Sequence, residues 1–553
     1  MQLSRRDFVK GMGLAALAAG AGRFTAFAGA AETEKPMNVV FILADDLGWS
    51  DCTLYGHTSL YETPNLERLA ERGMTFNRAY SSSPLCSPTR ASIMTGQDNV
   101  RNGFTAPHGH LGDVRLEASL PDSGPPRNKA LIVQTKSRLD TEYPTLGKLL
   151  KEHGYATGHF GKWHLGHAPY SPREHGFDVD IPNWPGPGPA GSFVAPWNYP
   201  DFEENYPQEH IEDRMAEEAV DWVRSLEDDQ PYFMNYWQFS VHAPFDAKAE
   251  LIDYYREKIN RDEAQHSPTY AAMVHSLDDA VGTLLDKIDS TGMADRTAII
   301  FISDNGGNMY NGIVETDADG EEFICTPTDN RPLRGGKGNM FEGGIRVPCV
   351  IVWPGVTEPG TRSDAMIQTT DLYPTLLNLL GIPLPENYPI DGKDLTPALR
   401  GEPWERDAMF TYFPHQTQVP DWLPPSISVH RGDWKLIRIF HFGEDGAHDY
   451  LLYNLKEDIG ETNNLAAEHP DLVEELDALI EAHIQDCNAV VPKPNPNFDP
   501  EEFDPDAIGV QPGGLRVARR PHVSDNAMMG LDLPFDNIKV AQGSSGRQTS
   551  SVT

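Results

Sequence analysis

Cysteine, basic residues and long apolar runs are all scarce in this chain, and each scarcity excludes a class of protein. Only five cysteines occur in 553 residues, widely spaced, which excludes a disulfide-dense scaffold and a CxxC zinc site. Lysine and arginine number 45 against 82 aspartates and glutamates, so the net charge of −37 argues against a nucleic-acid binder and against docking on an anionic membrane. No stretch reaches the roughly 20 apolar residues of a membrane-spanning helix. A loop-rich globular protein remains, with 48 glycines and 45 prolines.

The N-terminus has the pattern of an export signal. Arg5 and Arg6 precede a small, apolar run, and residues 28–30 read Ala-Gly-Ala, which fits a cleavage site. A twin-arginine pair in this order indicates export by the Tat machinery. The alternative, a short helix packed on the protein, fits the order of these features less well. We expect a periplasmic or extracellular mature protein without a membrane span. In such a protein the odd cysteine count leaves at least one thiol without an intramolecular partner.

Short apolar runs alternate with helical patterns along the first two thirds of the chain. The predicted strands cover residues 38–44, 74–80, 155–160, 232–239, 297–302 and 347–353. The predicted helices cover residues 64–72, 144–153, 211–226, 270–288 and 371–380. This alternation predicts an α/β fold with a large mixed, mainly parallel sheet flanked by helices.

The pattern changes after about residue 395. Strands at hairpin spacing are predicted at 408–412, 426–430, 434–440 and 450–453, followed by an amphipathic helix at 471–485. We therefore predict four parts: an export signal (1–30), a catalytic domain (31–395), a smaller C-terminal antiparallel α+β domain (396–490), and a Pro-rich extension with a disordered tail (491–553). Two long loops, 104–140 and 182–200, have a length that is more often functional than idle.

Oxygen-bearing side chains follow two of the predicted strands. Asp45 and Asp46 follow the first strand, and Asp304 and Asn305 follow the strand at 297–302. Ligands gather beyond the carboxyl ends of strands in open α/β sheets, and four hard oxygen donors suit calcium or magnesium. The alternative is that each pair only caps the next turn. From the pattern alone, a metal site and two caps are about equally supported.

Cys86 opens a predicted helix and is followed one turn later by Arg90. A helix N-terminus stabilises an anion and lowers the pKa of a thiol, so we expect an electropositive pocket at this position. The alternatives are a buried cysteine that only packs in a helical turn and a structural or redox thiol.

These residues match a known family. Cys-x-Pro-x-Arg at 86–90 resembles the signature of the formylglycine-dependent sulfatases, in the alkaline phosphatase-like superfamily. Further segments resemble the same family, in order, at 161–166 (GKWHLG), 175–178 (HGFD), 241–245 (VHAPF), 303–307 (SDNGG), 333–338 (LRGGKG) and 342–348 (EGGIRVP). The resemblance covers about residues 38–395, and the C-terminal part resembles the family's second domain.

The resemblance implies two cofactors. One is Cα-formylglycine, formed from Cys86 by a formylglycine-generating maturation enzyme, whose hydrated aldehyde is the nucleophile that attacks sulfur. The other is calcium. Its implied ligands are Asp45, Asp46, Cys86 in its modified form, Asp304 and Asn305.

The resemblance also implies catalytic roles. Arg90 would hold the diol, Lys162 and Lys337 would bind the sulfate and its developing charge, and His164 would orient or deprotonate the nucleophile. His242, with Lys337, would protonate the departing alcohol. Most of the 19 histidines are expected to be surface or structural residues, and His164 and His242 are singled out because they lie in matched motifs.

Substrate contacts are expected in the variable loops. Asn183, Trp184 and His415 are candidates for a sugar subsite. Their alternatives are a turn Asn-Trp pair and a histidine at a domain interface. The acidic surface favours a short or sparsely sulfated substrate, because long sulfated chains would be repelled at low salt.

An exported sulfatase that releases inorganic sulfate from a sulfated carbohydrate is the function that these observations favour. A phosphate or phosphonate monoester hydrolase of the same superfamily is the alternative enzyme, because some of those also use formylglycine. A non-catalytic sulfated-glycan-binding homologue is the alternative outside enzymes. That alternative predicts loss of Cys86, Arg90 or a metal-site aspartate, and all are present.

Overall fold

The computed structural model describes residues 35–518, so the predicted export signal and the predicted disordered end lie outside the described residues. The strands are β1 Asn38–Ala44, β2 Met74–Tyr80, β3 Ala156–Gly161, β4 Val179–Ile181, β5 Tyr232–Trp237, β6 Thr297–Ser303, β7 Asn311–Thr316, β8 Glu322–Cys325, β9 Cys349–Val352, β10 Thr361–Gln368, β11 Met409–Phe413, β12 Ser426–Arg431, β13 Trp434–Ile439, β14 Asp449–Asn454 and β15 Arg516–Ala518. The α-helices are α1 Pro64–Ala70, α2 Cys86–Thr95, α3 Asn99–Asn102, α4 Leu146–Glu152, α5 Ile211–Ser225, α6 Ala249–Arg256, α7 Pro268–Ser290, α8 Glu342–Ile345, α9 Leu372–Leu379, α10 Thr396–Leu399 and α11 Pro470–Asp486.

A sheet of eight strands forms the centre of the fold, in the order β10-β2-β9-β6-β1-β5-β3-β4. All neighbours are parallel except at β9, which runs antiparallel to β2 and to β6. The prediction of a mixed, mainly parallel sheet is therefore confirmed. Because β1 pairs with β5 on one side and β6 on the other, it is shielded from solvent at both edges.

Both faces of this sheet are covered, as the continuous apolar run of β1 predicts. Val40 and Ile42 belong to the apolar core that includes α5 and α7, whereas Val39 and Phe41 belong to the core that includes α2, α4 and α9. Successive side chains of a strand point to opposite faces, so one seven-residue strand anchors both layers. The result is a sheet with helices on both faces.

A second sheet, β11-β12-β13-β14, is antiparallel throughout and carries α11. The apolar side of α11 packs through Leu476, Ile480 and Ile484 against core residues of this sheet such as Val429 and Leu436. These strands and this helix were predicted from the sequence to within two residues at each end, whereas the boundaries at residues 395 and 490 remain predictions. No helix in the described range is both long and apolar enough for a membrane crossing.

Buried charges join the second sheet to the short helix α8. The side chain of Glu342 accepts hydrogen bonds from Lys435 (3.2 Å) and from the Tyr80 hydroxyl (2.9 Å), and it lies 3.0 Å from Nε2 of His430. Nζ of Lys435 also lies 2.7 Å from Oε1 of Glu461, and both of these side chains are fully buried. Removing one partner of such a network leaves an uncompensated charge away from water.

Lys435→Met should therefore lower the free energy of unfolding by about 3–5 kcal/mol, because Glu342 and Glu461 would lose their shared cation. Urea denaturation would measure the change. The matched control is Arg431→Met on β12, whose partner Glu475 is exposed, and we expect its cost to stay below about 1 kcal/mol. Equal effects of the two substitutions would contradict the assignment of a stabilising network.

Candidate active site

Four oxygen-bearing side chains meet where β1 and β6 end. These strands are parallel neighbours in register, with Ala44 opposite Ser303, so the residues that follow them leave the sheet side by side. The backbone N–H of Asp46 donates to Oδ1 of Asp304 (3.1 Å), and the side-chain amide of Asn305 donates to Oδ1 of Asp46 (2.8 Å). The fold thus brings together the oxygen donors that the strand-end pattern singles out.

The first residue of α2 lies beside this cluster. Sγ of Cys86 lies 3.4 Å from Nδ1 of His164, and Cys86, Asp45 and Asp304 each offer a ligand atom within 4.8 Å of the others. Arg90, one turn along the helix, donates from Nε and Nη2 to Oδ2 of Asp304 (3.0 and 2.7 Å). Helix α2 therefore carries both the cysteine and the cation that steadies a carboxylate next to it.

Two lysines complete the charge balance. Nζ of Lys162 donates to Oδ2 of Asp45 (2.6 Å), and Nζ of Lys337 donates to Oδ2 of Asp46 (2.7 Å). Nε2 of His242 lies 4.0 Å from the same Asp46 oxygen, and its Nδ1 lies 2.6 Å from the carbonyl of Ala243. A carbonyl can only accept, so Nδ1 carries a hydrogen and Nε2 faces the carboxylate.

Burial controls the electrostatics of this cluster, because none of its side chains is more than 5 % exposed. Burial, opposed by Lys162 and reinforced by Asp304 and Asp46, raises the pKa of Asp45 well above its ordinary value. Burial and then the neighbouring lysines lower the pKa values of His164 and His242 well below the ordinary value. Burial would lower the pKa of Lys337 as well, but the surrounding acidic groups, Asp46 first among them, together outweigh burial and raise that pKa.

The expectation of a lowered thiol pKa at position 86 is wrong for the unmodified residue. Burial raises the pKa of Cys86. The positive charges of Lys162 and Lys337, which favour the thiolate, are opposed by the negative charges of Asp45 and Asp304. The first turn of α2 does lie in a pocket with three cations, but desolvation of the thiolate outweighs them.

Two buried oxygens of the cluster fit a cation. Within the described part of the chain, Oδ1 of Asp45 and Oδ1 of Asn305 have no hydrogen-bond donor although both are buried. Buried oxygens without a donor are costly, and a hard cation would satisfy both. Asp45, Asp46 and His242 also offer ligand atoms within 4.8 Å of one another. The donor set fits calcium or magnesium.

The backbone of the cluster is held in unusual conformations. Asp46 has φ 66° and His164 has φ 55°, both in the left-handed region that costs a non-glycine residue energy. Gly306, after Asn305, approaches the backbone so closely that an added Cβ would lie 1.8 Å from the carbonyl oxygen of Gly343. The N–H of Lys337 donates to the carbonyl of Gly307 (3.0 Å). This hydrogen bond joins the segment that follows β6 directly to the loop that carries Lys337.

The three sugar-subsite candidates occupy different surroundings. Trp184 donates from Nε1 to the carbonyl of Gly188 (2.8 Å), and an added Cβ at Gly188 would lie 3.0 Å from Nδ1 of His242, so this loop reaches the cluster. Asn183, the residue before, adopts φ 57°. His415 is 2 % exposed and its Nε2 lies 2.9 Å from the Thr105 hydroxyl. Their roles remain predictions.

One residue in contact with the cluster was not among the predicted site residues. His110, in the loop 104–140, places Nδ1 2.8 Å from Nε2 of His164. Sequence reasoning did not single it out, because it lies in no segment that resembles the family and because the loop has no helical or strand periodicity.

The fold and this cluster together suit a class of protein: an enzyme with a mixed α/β sheet that acts on an anionic ester, with hard oxygen donors and buried cations at the carboxyl ends of its strands. Comparison with known proteins then gives the family. The family model described as "Sulfatase" matches residues 37–382, and one described as "N-sulphoglucosamine sulphohydrolase, C-terminal" matches residues 336–488. The chain belongs to the sulfatase family and is a sulfuric ester hydrolase.

Individual relatives support the same conclusion. N-acetylgalactosamine-6-sulfatase of Rattus norvegicus is 33% identical over 392 residues, which is 67% of this chain and 67% of that protein. A sulfatase of Formosa agariphila is 30% identical over 504 residues, covering 79% of this chain and 85% of that protein. Among solved structures, Ps i-CgsB in complex with k-i-k-neocarrahexaose is 26% identical and covers 81% of this chain and 93% of its own, with a TM-score of 0.64.

Proposed function

We propose that this sulfatase hydrolyses sulfate esters of a carbohydrate and releases inorganic sulfate, with formylglycine and calcium as cofactors. The observation that carries the proposal is the charge balance of the buried cluster. Arg90, Lys162 and Lys337 face three aspartates, so the protein alone is close to neutral there. A divalent cation would make the site positive, which suits a sulfate ester held away from water.

The calcium ligands in this proposal are the oxygen donors that follow β1 and β6, with the modified residue 86 as a further ligand. Support comes from the two buried oxygens without a donor, on Asp45 and Asn305. When bound, the ion supplies Lewis-acid polarisation of the sulfate oxygens. Arg90 would hold Asp304 in place and so would keep one ligand oriented.

Residue 86 supplies the nucleophile in this proposal, as a hydrated formylglycine in place of the thiol. His164 is the only histidine of the cluster whose ring nitrogen lies within 3.5 Å of Sγ of Cys86, among the described residues. With its lowered pKa, its ring is neutral and can accept a proton from a hydroxyl at that position. Lys162 and Lys337 would bind the sulfate oxygens, and Lys337, next to His242, would protonate the departing alcohol oxygen.

The carbohydrate substrate is proposed from the relatives. The rat protein is named for N-acetylgalactosamine 6-sulfate, and Ps i-CgsB was solved with a neocarrahexaose. The loop 182–200, which includes Asn183 and Trp184, reaches His242 through Gly188 and could contact a sugar ring beside the sulfate. The net charge of −37 favours a short or sparsely sulfated substrate.

The proposal also covers how the protein is modified and where it is located. A formylglycine-generating enzyme would modify Cys86, and the twin-arginine segment would direct the chain through the Tat machinery to the periplasm or the extracellular medium. Support for export comes from residues 1–30 of the sequence alone. A fractionation experiment with and without the pair Arg5-Arg6 would test it.

The reaction itself is tested by the ester that the enzyme prefers. Purified protein with measured formylglycine content would be assayed with 4-nitrophenyl sulfate, 4-nitrophenyl phosphate and a phenyl phosphonate monoester. We expect the highest kcat/KM for the sulfate. A strong preference for phosphate or phosphonate would favour the alternative enzyme, and defined sulfated saccharides would then identify the sugar.

Lys337→Ala should lower kcat by about 10²–10³-fold, the usual cost of removing one group that stabilises developing negative charge. The carboxylate of Asp46 would lose its buried lysine partner, so the melting temperature should fall as well, and kcat is measured well below the melting transition of the variant. Lys148→Ala, a half-buried lysine on α4 that donates to backbone carbonyls, is the control and should keep wild-type activity. Wild-type activity of Lys337→Ala would contradict its assignment.

A further inference from the structure

A second histidine lies directly behind His164. Nδ1 of His164 faces Sγ of Cys86 (3.4 Å), and Nε2, on the other side of the ring, lies 2.8 Å from Nδ1 of His110. The two ring centres are 5.0 Å apart with an interplanar angle of 35°. The imidazole of His164 is therefore held between the nucleophile position and one other nitrogen.

The contact between Nε2 of His164 and Nδ1 of His110 holds one hydrogen, and either nitrogen can carry it. If Nε2 of His164 carries the hydrogen, Nδ1 presents a lone pair to residue 86 and can act as a base. If His110 carries it on Nδ1, Nδ1 of His164 must carry a hydrogen instead and cannot accept a proton. The tautomer of this pair therefore decides whether Nδ1 of His164 can accept a proton from residue 86.

Hydrogen bonds and close backbone packing hold the loop that carries His110 in position. The buried guanidinium of Arg138 donates to the carbonyls of Gly109 (3.1 Å) and Leu111, which are the residues on either side of His110. An added Cβ at Gly109 would lie 2.1 Å from the carbonyl oxygen of His164, so only glycine allows the loop this close. Two independent contacts thus fix the position of the second ring.

We propose that His110 is a positioning residue, which accepts a hydrogen bond from Nε2–H of His164 and so keeps the lone pair of Nδ1 directed at the nucleophile of residue 86. The inference rests on the proposed function. In the attack on sulfur, a hydroxyl oxygen of modified residue 86 would form a new O–S bond while the S–O bond to the sugar breaks. Its proton would pass to Nδ1 of His164, and the departing oxygen would take a proton from Lys337, next to His242. His110 takes up no proton in this step; its contact with Nε2–H orients the ring and stabilises the resulting imidazolium.

Kinetics of two His110 variants test the role. His110→Ala should lower kcat by about 10–100-fold, the cost of losing a partner that orients a site residue, with KM nearly unchanged. His110→Asn should recover much of this loss, because its side-chain oxygen can accept near the position of Nδ1. His108→Ala, in the same loop, is the control and should remain active. Unchanged kcat in His110→Ala, or no recovery in His110→Asn, would overturn the proposal.

A spectroscopic measurement tests it without activity. In protein with ¹⁵N-labelled histidine and unmodified Cys86, the signals of His164 are identified by their loss in His164→Gln. We expect His164 to carry its hydrogen on Nε2, and to show a mixture of tautomers in His110→Ala. A hydrogen on Nδ1, or the same single tautomer in both proteins, would overturn the inference. Failure of the enzyme to hydrolyse sulfate esters would overturn only the proposed function, because the tautomer is measured separately.

Discussion

Cys86→Ala should abolish sulfate-ester turnover, with a loss of about 10⁴-fold or more, as is found when a catalytic nucleophile is removed. Alanine cannot be oxidised to an aldehyde, so no diol can form at the start of α2. The rest of the cluster should stay assembled, because Arg90, Lys162 and Lys337 are each paired with an aspartate rather than with the thiol. Sulfate release and the melting temperature would be measured on the same preparation.

The control for this result is Cys325→Ala, which removes another buried thiol, on β8 in a different sheet. We expect it to retain activity. Mass spectrometry of the peptide around residue 86 supplies a second check, since the formylglycine fraction should scale with the specific activity of the wild type. Full activity from protein whose Cys86 is an unmodified thiol would refute the formylglycine mechanism.

Asp304→Ala should remove the proposed metal and most of the activity, about 10³-fold or more, because Asp304 accepts three hydrogen bonds from two residues and is also a proposed ligand. Its Oδ1 accepts from the N–H of Asp46, and its Oδ2 accepts from two nitrogens of Arg90. Without it, Arg90 is buried and has lost its main counter-charge. In the wild type, calcium at 100 times its Kd should raise the free energy of unfolding by about 2.7 kcal/mol. In Asp304→Ala that increase should vanish.

Asp371→Asn is the matched control, because Asp371 is also fully buried and also paired with an arginine, Arg406, far from the ends of β1 and β6 in sequence. It should lose stability and yet respond to calcium as the wild type does. Calcium content by elemental analysis gives the same comparison directly. An unchanged calcium response in Asp304→Ala would show that the ion binds elsewhere.

Strands β1 and β6 were predictable because burial on both faces makes them nearly continuous apolar runs. β1 and β2 begin and end at the predicted residues, and β6 differs by one residue. β10 was missed because it is an edge strand whose first residues are half exposed, so TRSDAMIQ shows no apolar run. The β7–β8 hairpin was missed for a similar reason, since Glu322 and Ile324 of β8 point to solvent.

The site was predictable where function depends on residues next to strand ends or helix starts. Asp45 and Asp304 follow such strands and Cys86 begins a helix, so the pattern singled out each of them, but it was the resemblance to the sulfatases that joined them in one site. His110 could not be predicted this way, because its place depends on how a long loop folds around Arg138. The pKa of Cys86 was predicted in the wrong direction because helix position is visible in a sequence and burial beside two aspartates is not.

The contact between Gly306 and Gly343 limits how this enzyme can be redesigned. Any side chain at Gly306 would have to displace a backbone carbonyl 1.8 Å away, and with it the loop that holds Lys337. A library aimed at a new substrate should therefore leave residues 303–307 and 334–344 untouched, although few of them would touch a sugar. Its diversity belongs in the loop 182–200 and in the parts of the loop 104–140 away from Gly109, His110 and Arg138, where changes can alter substrate contacts without moving the proposed metal ligands.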